Sequence, residues 1–545
     1  MIDFLKKNWK WIAFAAILLL AVFLRVFHFH DWLFFKMDQA RDALIAKKAL
    51  GRGIGWLPLL GPKAGGTAVD LGPAFYYFQY ISAFLFQSAR PEVLAYPDLL
   101  FAVLSIPLLF LFLKKYFSRD WSMIITGLYA VCFVGVEYSR FALNPNSLVF
   151  FNLLFFYALL NIFDENVKYK MRWVAVAGFS AAVSTQLHFL SLATLPATAV
   201  IFLIANWKAT KKRLNWKRIL VFFAIVLVVY LPFVFNEILT HGKNTAAFFA
   251  AVKSKPSHHS LWQNILRDIR YWGQHWSLIL FGWISKKGSV LPAVISWFGV
   301  MLPGLFLAVN FFRKEKNEDK KRFLLVSILW FAAYFLIYIP IAYQIRPRFF
   351  LPLLSLPFIF VGYISVYLRG KKSRILKLLA VAVLLAVFFG NLAGAYFWFK
   401  EQSSAQKKGV YPKRTIILKA QDGITLWHLE KAADFIRQDC GGSKMYVSTN
   451  QEYKSPMRYV ANLKGFDYET VGAYDGRPDA CLYLLGLTRS KRIKLTNKDK
   501  FDISSQEKIG ALTVYKLKPK EGEVFNGTGR KGKETRRFFW KDVIK

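Results

Sequence analysis

Long apolar runs separated by short polar breaks dominate the chain from residue 11 to about residue 398. Crossing a hydrocarbon core of ~30 Å takes roughly 20 mostly apolar residues. Runs such as Trp11–Phe27, Leu99–Leu113 and Leu378–Leu392 have that character, and neither they nor their neighbours show the alternation of a half-buried strand. The pattern predicts spans near 11–27, 98–113, 121–137, 147–163, 173–189, 190–206, 219–235, 291–311, 323–341, 350–368 and 378–398. The first run follows Lys6, Lys7 and Lys10 and lacks a small-residue cleavage site, so it is expected to stay as an anchor. After residue 400 the pattern changes. Strand-like runs at Lys444–Ser448, Ala480–Leu485 and Ala511–Leu517 follow a helix-like stretch at Leu426–Arg437. That predicts a small α/β domain over 400–517. The basic, glycine-containing tail 518–545 is expected to be disordered.

Charge gives the topology. Lys and Arg number 74 against 33 Asp and Glu, a net charge of +41 on 545 residues. In a soluble chain this excess would suggest nucleic acid. Here it gathers in short loops, 114–119, 168–172, 208–218, 313–322 and 369–377, as the positive-inside bias requires. No nucleic-acid partner is therefore expected. Placing these loops and the N-terminus in the cytoplasm leaves one apolar run too many before Arg119. Pro73–Gln87, short and rich in Phe and Tyr, is assigned to the membrane surface rather than to a span. About eleven spans remain, in a mainly α polytopic bundle over 1–399. The segments 28–97, 138–146, 236–290 and 342–349, together with the C-terminal domain, face outward. Among the three cysteines, Cys132 lies in an apolar run, whereas Cys440 and Cys481 are free to pair or not in an oxidising compartment.

The chemistry lies in the outward loops. Asp38, Arg41 and Asp42 stand at i, i+3 and i+4, on one face of a predicted helix just past the first span. A solvated internal ion pair is the plain reading of such a set. A carboxylate at the membrane rim can also serve as a base. Lys63 and Asp70 are the polar residues of a Gly/Pro-rich loop whose glycines do not form a phosphate-loop pattern. Arg140 and Asn144 lie in the hairpin EYSRFALNPNS, where an arginine is either a snorkelling anchor or a phosphate ligand. Arg346 and Arg348, beside Tyr343, sit on the side the positive-inside bias disfavours, which marks a phosphate clamp over a lipid-headgroup anchor. His188, His258 and His259 form no metal constellation. No cofactor is expected, and a divalent metal is compatible with the pattern but unsupported by it.

Taken together, the acidic motif after the first span, the stretch GPAFYYF, the hairpin SRFALNPN and the late RPRFFLPLLSLPF resemble the GT-C superfamily of membrane glycosyltransferases. Within it the chain looks like the bacterial relatives of protein O-mannosyltransferases and of the lipid A aminoarabinose transferase, over roughly residues 10–370. The resemblance implies surface helices in the first outer loop, 28–97, and an inverting transfer of sugar from a polyprenyl-phosphate donor. The acceptor would be a hydroxyl of a protein, lipid or glycan at the outer face of the cytoplasmic membrane. Asp38 matches the family's catalytic Asp. The following Glu is replaced by Gln39, with Asp42 as a candidate substitute. The family's Lys-Pro-Pro is replaced by Leu71-Gly72-Pro73, so Lys63, Arg346 and Arg348, with Arg140, are the candidates for the donor phosphate. The competing class is a lipid or glycan transporter or flippase. Such proteins carry ionisable groups near the bilayer midplane, whereas the acids here cluster in loops.

Overall fold

The computed structural model describes residues 2–65, 67–254, 257, 259–284, 289–488, 498–523, 525 and 537–544. His258 and tail residues 526–536 lie outside them. The first half contains α1 (Ile2–Val26), α2 (Met37–Arg52), α3 (Ala74–Leu85), α4 (Pro91–Leu113), α5 (Arg119–Ala130), α6 (Phe133–Tyr138), α7 (Leu148–Phe163), α8 (Lys170–Leu187), α9 (Phe189–Ala205), α10 (Trp207–Arg213) and α11 (Trp216–Leu239). Then come α12 (Lys243–Ser254), α13 (Leu261–Phe281), α14 (Leu291–Ser296), α15 (Leu302–Lys314), α16 (Glu318–Tyr338), α17 (Leu356–Arg369), α18 (Arg374–Lys408), α19 (Leu426–Cys440) and α20 (Gln451–Leu463). Among the described residues, six helical segments are long and apolar enough to cross a membrane, or up to eight if two bent pairs are each one span. The chain is a multi-pass helical membrane protein with a small C-terminal sheet.

Contacts between loops define two faces. On one face Lys10 meets Asp120, Lys115 meets Asp164, Arg213 meets Glu165, and Arg322 reaches the Phe163 carbonyl. These are the basic loops. The opposite face gathers the segment after α1, the hairpin after α6, the α8–α9 break and the C-terminal domain. α3 has only 12 residues, about 18 Å of helix, too short to cross. Its N-terminus receives the Gln186 amide oxygen, and Ser82 near its end bonds the Val93 carbonyl. These bonds tie both ends of the helix to neighbouring segments. Two features differ from expectation. The run 121–137 is broken at Cys132, where buried Asn391 accepts the Phe133 N–H that the break frees and donates to the Leu280 carbonyl at the end of α13. Within 236–290, expected to be a loop, α13 buries Trp272 and Trp276 against Phe331.

The C-terminal sheet has β1 (Met445–Ser448), β2 (Cys481–Leu487), β3 (Phe501–Ile509) and β4 (Leu512–Pro519) in the order β1-β2-β4-β3. β1 and β2 are parallel and the other pairs antiparallel. Cys440 at the end of α19 and Cys481 at the start of β2 form a disulfide. The domain shares one apolar cluster with the first loop. Ala40, Ala43 and Ala46 of α2, with Phe75 and Tyr76 of α3, join Leu429, Met457 and Tyr459. Alanines along α2 let α20 approach closely. Residues 537–544, within the tail expected to be disordered, pack back on the first loop, because Phe538 and Trp540 pair with its main chain.

His30 links three parts of this assembly. Its Nε2 is 2.8 Å from Glu430 and its Nδ1 3.4 Å from Glu92. The bond to Glu430, then that to Glu92, raises its pKa from 6.5 to about 10. The folded value exceeds the unfolded one, so the link stabilises fully below pH 6.5 and is lost as pH rises through about 10. Thermal midpoints in detergent should therefore fall across that window. His30→Gln should flatten the pH dependence.

Candidate active site between the first loop and the C-terminal domain

α1 ends at the membrane rim, where its last carbonyls need donors. Arg140, buried at 2% exposure, supplies them. Its Nη1 donates to the carbonyls of Leu24 and Arg25, and its Nη2 to those of Phe27 and His28. His28 then takes a positive φ of 49° and the chain turns toward α2. The terminal N–H groups of Arg140 are thus committed to main chain. The sequence suggested a donor phosphate as its partner; in the structure its acceptors are these four carbonyls. Asn144 donates to the Leu187 carbonyl at 2.7 Å.

The start of α2 is clamped on both sides. Lys36, 1% exposed, donates to both Asp422 oxygens at 2.9 Å and to the Tyr453 hydroxyl. Burial pushes its pKa down to about 8, against the pull of Asp422. The Leu426 N–H donates to the Leu33 carbonyl, adding a main-chain link to the domain. Gln39 accepts the Lys36 N–H at 3.3 Å and donates to the Ala142 carbonyl at 3.2 Å. A glutamate there could not donate the second bond, which gives Gln39 its own reason.

On this fixed turn stand the acids. Asp38, with its side chain 41% exposed, receives Arg41 at 3.1 Å and lies 3.8 Å from Lys419. Asp42 is buried and receives the same guanidinium at 2.8 Å and 3.1 Å. Tyr76 donates to it at 2.9 Å. Burial raises the Asp42 pKa, with Arg41 and Tyr76 opposing. Arg41 therefore bridges an enclosed carboxylate and an open one. The open one, Asp38, is the group a substrate could reach.

Lys63 and Asp70 pair across a narrow hairpin, closed by bonds between Gly61 and Leu71 and between Ala64 and Val69. A Cβ at Gly61 would lie 2.1 Å from the Gly72 carbonyl, so the crossing requires glycine. Asn244 of α12 pins the hairpin through both main-chain groups of Asp70. Burial raises the Asp70 pKa, opposed by Lys63, Arg537 and Arg41. The hairpin reaches Arg348, whose Nη2 lies 3.4 Å from the position of a Cβ at Gly65. Arg348 is half-buried, and Asp38 and Arg346 act electrostatically on it. Tyr343 lies half-buried in the preceding 3-10 turn Ile339–Gln344. Thus Asp38, Arg41, Asp42, Lys63, Asp70, Arg346 and Arg348 converge, whereas Arg140 and Asn144 support from behind. Among the described residues no group of three or more His, Cys, Asp or Glu side chains is arranged to hold a metal ion.

Sequence reasoning missed several supports. Glu137 accepts from the Thr415 hydroxyl and the Ile416 N–H, fastening the post-α18 segment to the bundle. Lys36 carried a signal, a charge two residues before the acidic motif. Arg537, whose Nη1 lies 3.4 Å from the Tyr76 hydroxyl, carried none.

Residues 70–234 match the family described as dolichyl-phosphate-mannose-protein mannosyltransferase. No curated protein matches the sequence. The fold is similar to that of ArnT from Cupriavidus metallidurans in the apo state, with a TM-score of 0.54 at 11% identity over 94% of this chain and 98% of that one. The same protein bound to undecaprenyl phosphate gives 0.53 at 12% identity, covering 93% and 98%. The Archaeoglobus fulgidus oligosaccharyltransferase in the apo form gives 0.51 at 12% identity, covering 88% of this chain and 70% of that one. These likenesses and the family match uphold the resemblance to GT-C membrane glycosyltransferases.

If Arg140 serves the main chain, Arg140→Ala should cost about 3–5 kcal/mol, since it orphans buried carbonyls. Arg348→Ala should leave stability within about 0.5 kcal/mol of wild type. Thermal unfolding in detergent separates the two.

Proposed function

We infer that this chain, of GT-C fold and sharing residues 70–234 with the mannosyltransferase family, is a membrane glycosyltransferase using a polyprenyl-phosphate-linked sugar. The observation that carries the reading is an open carboxylate, Asp38, close enough to Arg348 to act on it electrostatically, as Arg346 does, with Arg348 beside the tip of the Lys63–Asp70 hairpin. The lipid-bound state of ArnT supports the choice of carrier. The acceptor hydroxyl, on a protein, lipid or glycan, attacks the anomeric carbon as the bond to the phosphate oxygen breaks. Asp38 takes the hydroxyl proton. The polyprenyl phosphate leaves with its charge against Arg348, Arg346 and Lys63. Direct displacement inverts the anomeric centre. Arg41 orients Asp38 while its second contact, to Asp42, keeps it from swinging away.

The topology follows the same reading. The gathered basic loops face the cytoplasm, and the charge and hydropathy pattern implies about eleven crossings. The C-terminal domain then faces outward, where a Cys440–Cys481 disulfide would persist.

Asp38→Asn should lower transfer from a polyprenyl-phosphate sugar by about 10²–10⁴-fold with donor binding intact. Arg348→Ala should raise the donor KM about tenfold or more, as expected for losing a charge-assisted phosphate contact. Membranes carrying each variant, assayed with a radiolabelled lipid-linked sugar, provide the check. Full turnover by Asp38→Asn would remove the base assignment.

A further inference from the structure

The chain's last described segment ends beside its candidate catalytic loop. Residues 537–544 run antiparallel to Pro58, with the Leu59 N–H bonded to Phe538 and the Trp540 N–H to Leu57. Trp540 Nε1 donates to Tyr77 at 2.8 Å, and its ring packs 5.7 Å from Phe235 of α11. Phe539 packs against Trp56, and the Lys541 ammonium lies 4.1 Å from the centre of the Trp56 ring. The segment is therefore tied to the first loop by main chain, by an indole hydrogen bond and by aromatic packing. Its first residue, Arg537, reaches inward to within 3.4 Å of the Tyr76 hydroxyl. Tyr76 donates onward to Asp42, Asp42 holds Arg41, and Arg41 holds Asp38.

We propose that residues 537–544 form a strap that stays closed during turnover, and that Arg537 is a positioning residue acting through Tyr76 on the Asp42–Arg41–Asp38 chain. The inference rests on the transferase reading of Asp38. A guanidinium at the phenol oxygen turns the Tyr76 O–H toward Asp42, since Arg537 can only donate. With its second lone-pair partner supplied from the strap, Tyr76 has one way to point, and Arg41 is held in one place. The charge of Arg537 also offsets the half-buried Asp70, as do Lys63 and Arg41, while Asp42 is faced by Arg41, Tyr76 and Asp38.

Full-length Arg537→Gln should lower kcat about tenfold with the donor KM unchanged, as expected for one charge-assisted hydrogen bond. Arg537→Lys should recover most of the loss. Tyr76→Phe should show a similar loss, and the double variant Tyr76→Phe/Arg537→Gln no further one, because both act through one contact. The strap can be fixed in place as well. A Cβ at Gly55 would lie 3.5 Å from Lys541 Cβ, within disulfide range, so Gly55→Cys/Lys541→Cys should cross-link. The cross-linked protein should turn over like wild type. Cross-linking of the Arg537→Gln form shows that its strap remains docked, which separates lost positioning from lost folding. Inactivity on cross-linking, reversed by a reductant that leaves wild type unaffected, would make the strap a lid and overturn the proposal. Wild-type turnover by Arg537→Gln, with Asp38→Asn inactive, would also overturn it while leaving the transferase reading in place. Turnover by both variants would remove the base assignment instead.

Discussion

Arg140 gathers the main-chain carbonyls of Leu24, Arg25, Phe27 and His28 at the end of the first span. A helix that stops at a membrane rim leaves its last carbonyls without N–H partners, and water is scarce there. A buried arginine with two forked donor pairs meets that need and at the same time fixes where the chain leaves the bilayer. Everything downstream inherits that exit: the turn at His28, the buried Lys36, the clamped start of α2 and the place of Asp38. The hairpin that carries Arg140 also presents the Ala142 carbonyl to Gln39, so one loop governs both the exit of α1 and the entry of α2.

The site that results is built in layers. Asp38 is open, Asp42 is enclosed, and one guanidinium serves both. This division suits a reaction at a lipid surface. A single exposed carboxylate would wander with its side-chain entropy, and a fully buried one could not meet a substrate. Pairing the two through Arg41 restrains the exposed acid at little cost in access. The C-terminal domain takes part in the restraint. Asp422 and Tyr453 anchor Lys36, and Lys419 approaches Asp38 itself. The small domain is thus part of the scaffold of the site rather than an appendage.

Much of the fold was legible. Apolar runs mark the helices because lipid tolerates little else. Charge counting singled out the run 73–87 as one that should not cross, since an extra crossing would strand the basic loop 114–119 on the wrong side, and α3 there has only 12 residues. The break at Cys132 was not legible, because the side chain that repairs it, Asn391, lies far along the chain. The inward packing of α13 was hidden for a related reason: its polar residues read as a loop, while Trp272 and Trp276 find their partners far along the chain, on α16, on α17 and at Phe350.

The sequence by itself determined that this protein crosses a membrane repeatedly, which loops share a side, and which residue types could do chemistry there. Those properties depend on local composition, and the bilayer reads composition directly. The tertiary structure decided which of those residues meet. Arg140 and Arg348 are chemically the same side chain at similar-looking loop positions, yet one faces orphan carbonyls and the other a loop beside Asp38. A guanidinium bonds whatever acceptor lies within reach, and reach is a property of the folded chain. The same holds for Arg537, which comes to Tyr76 from the far end of the sequence and could be recognised only once both were placed in space.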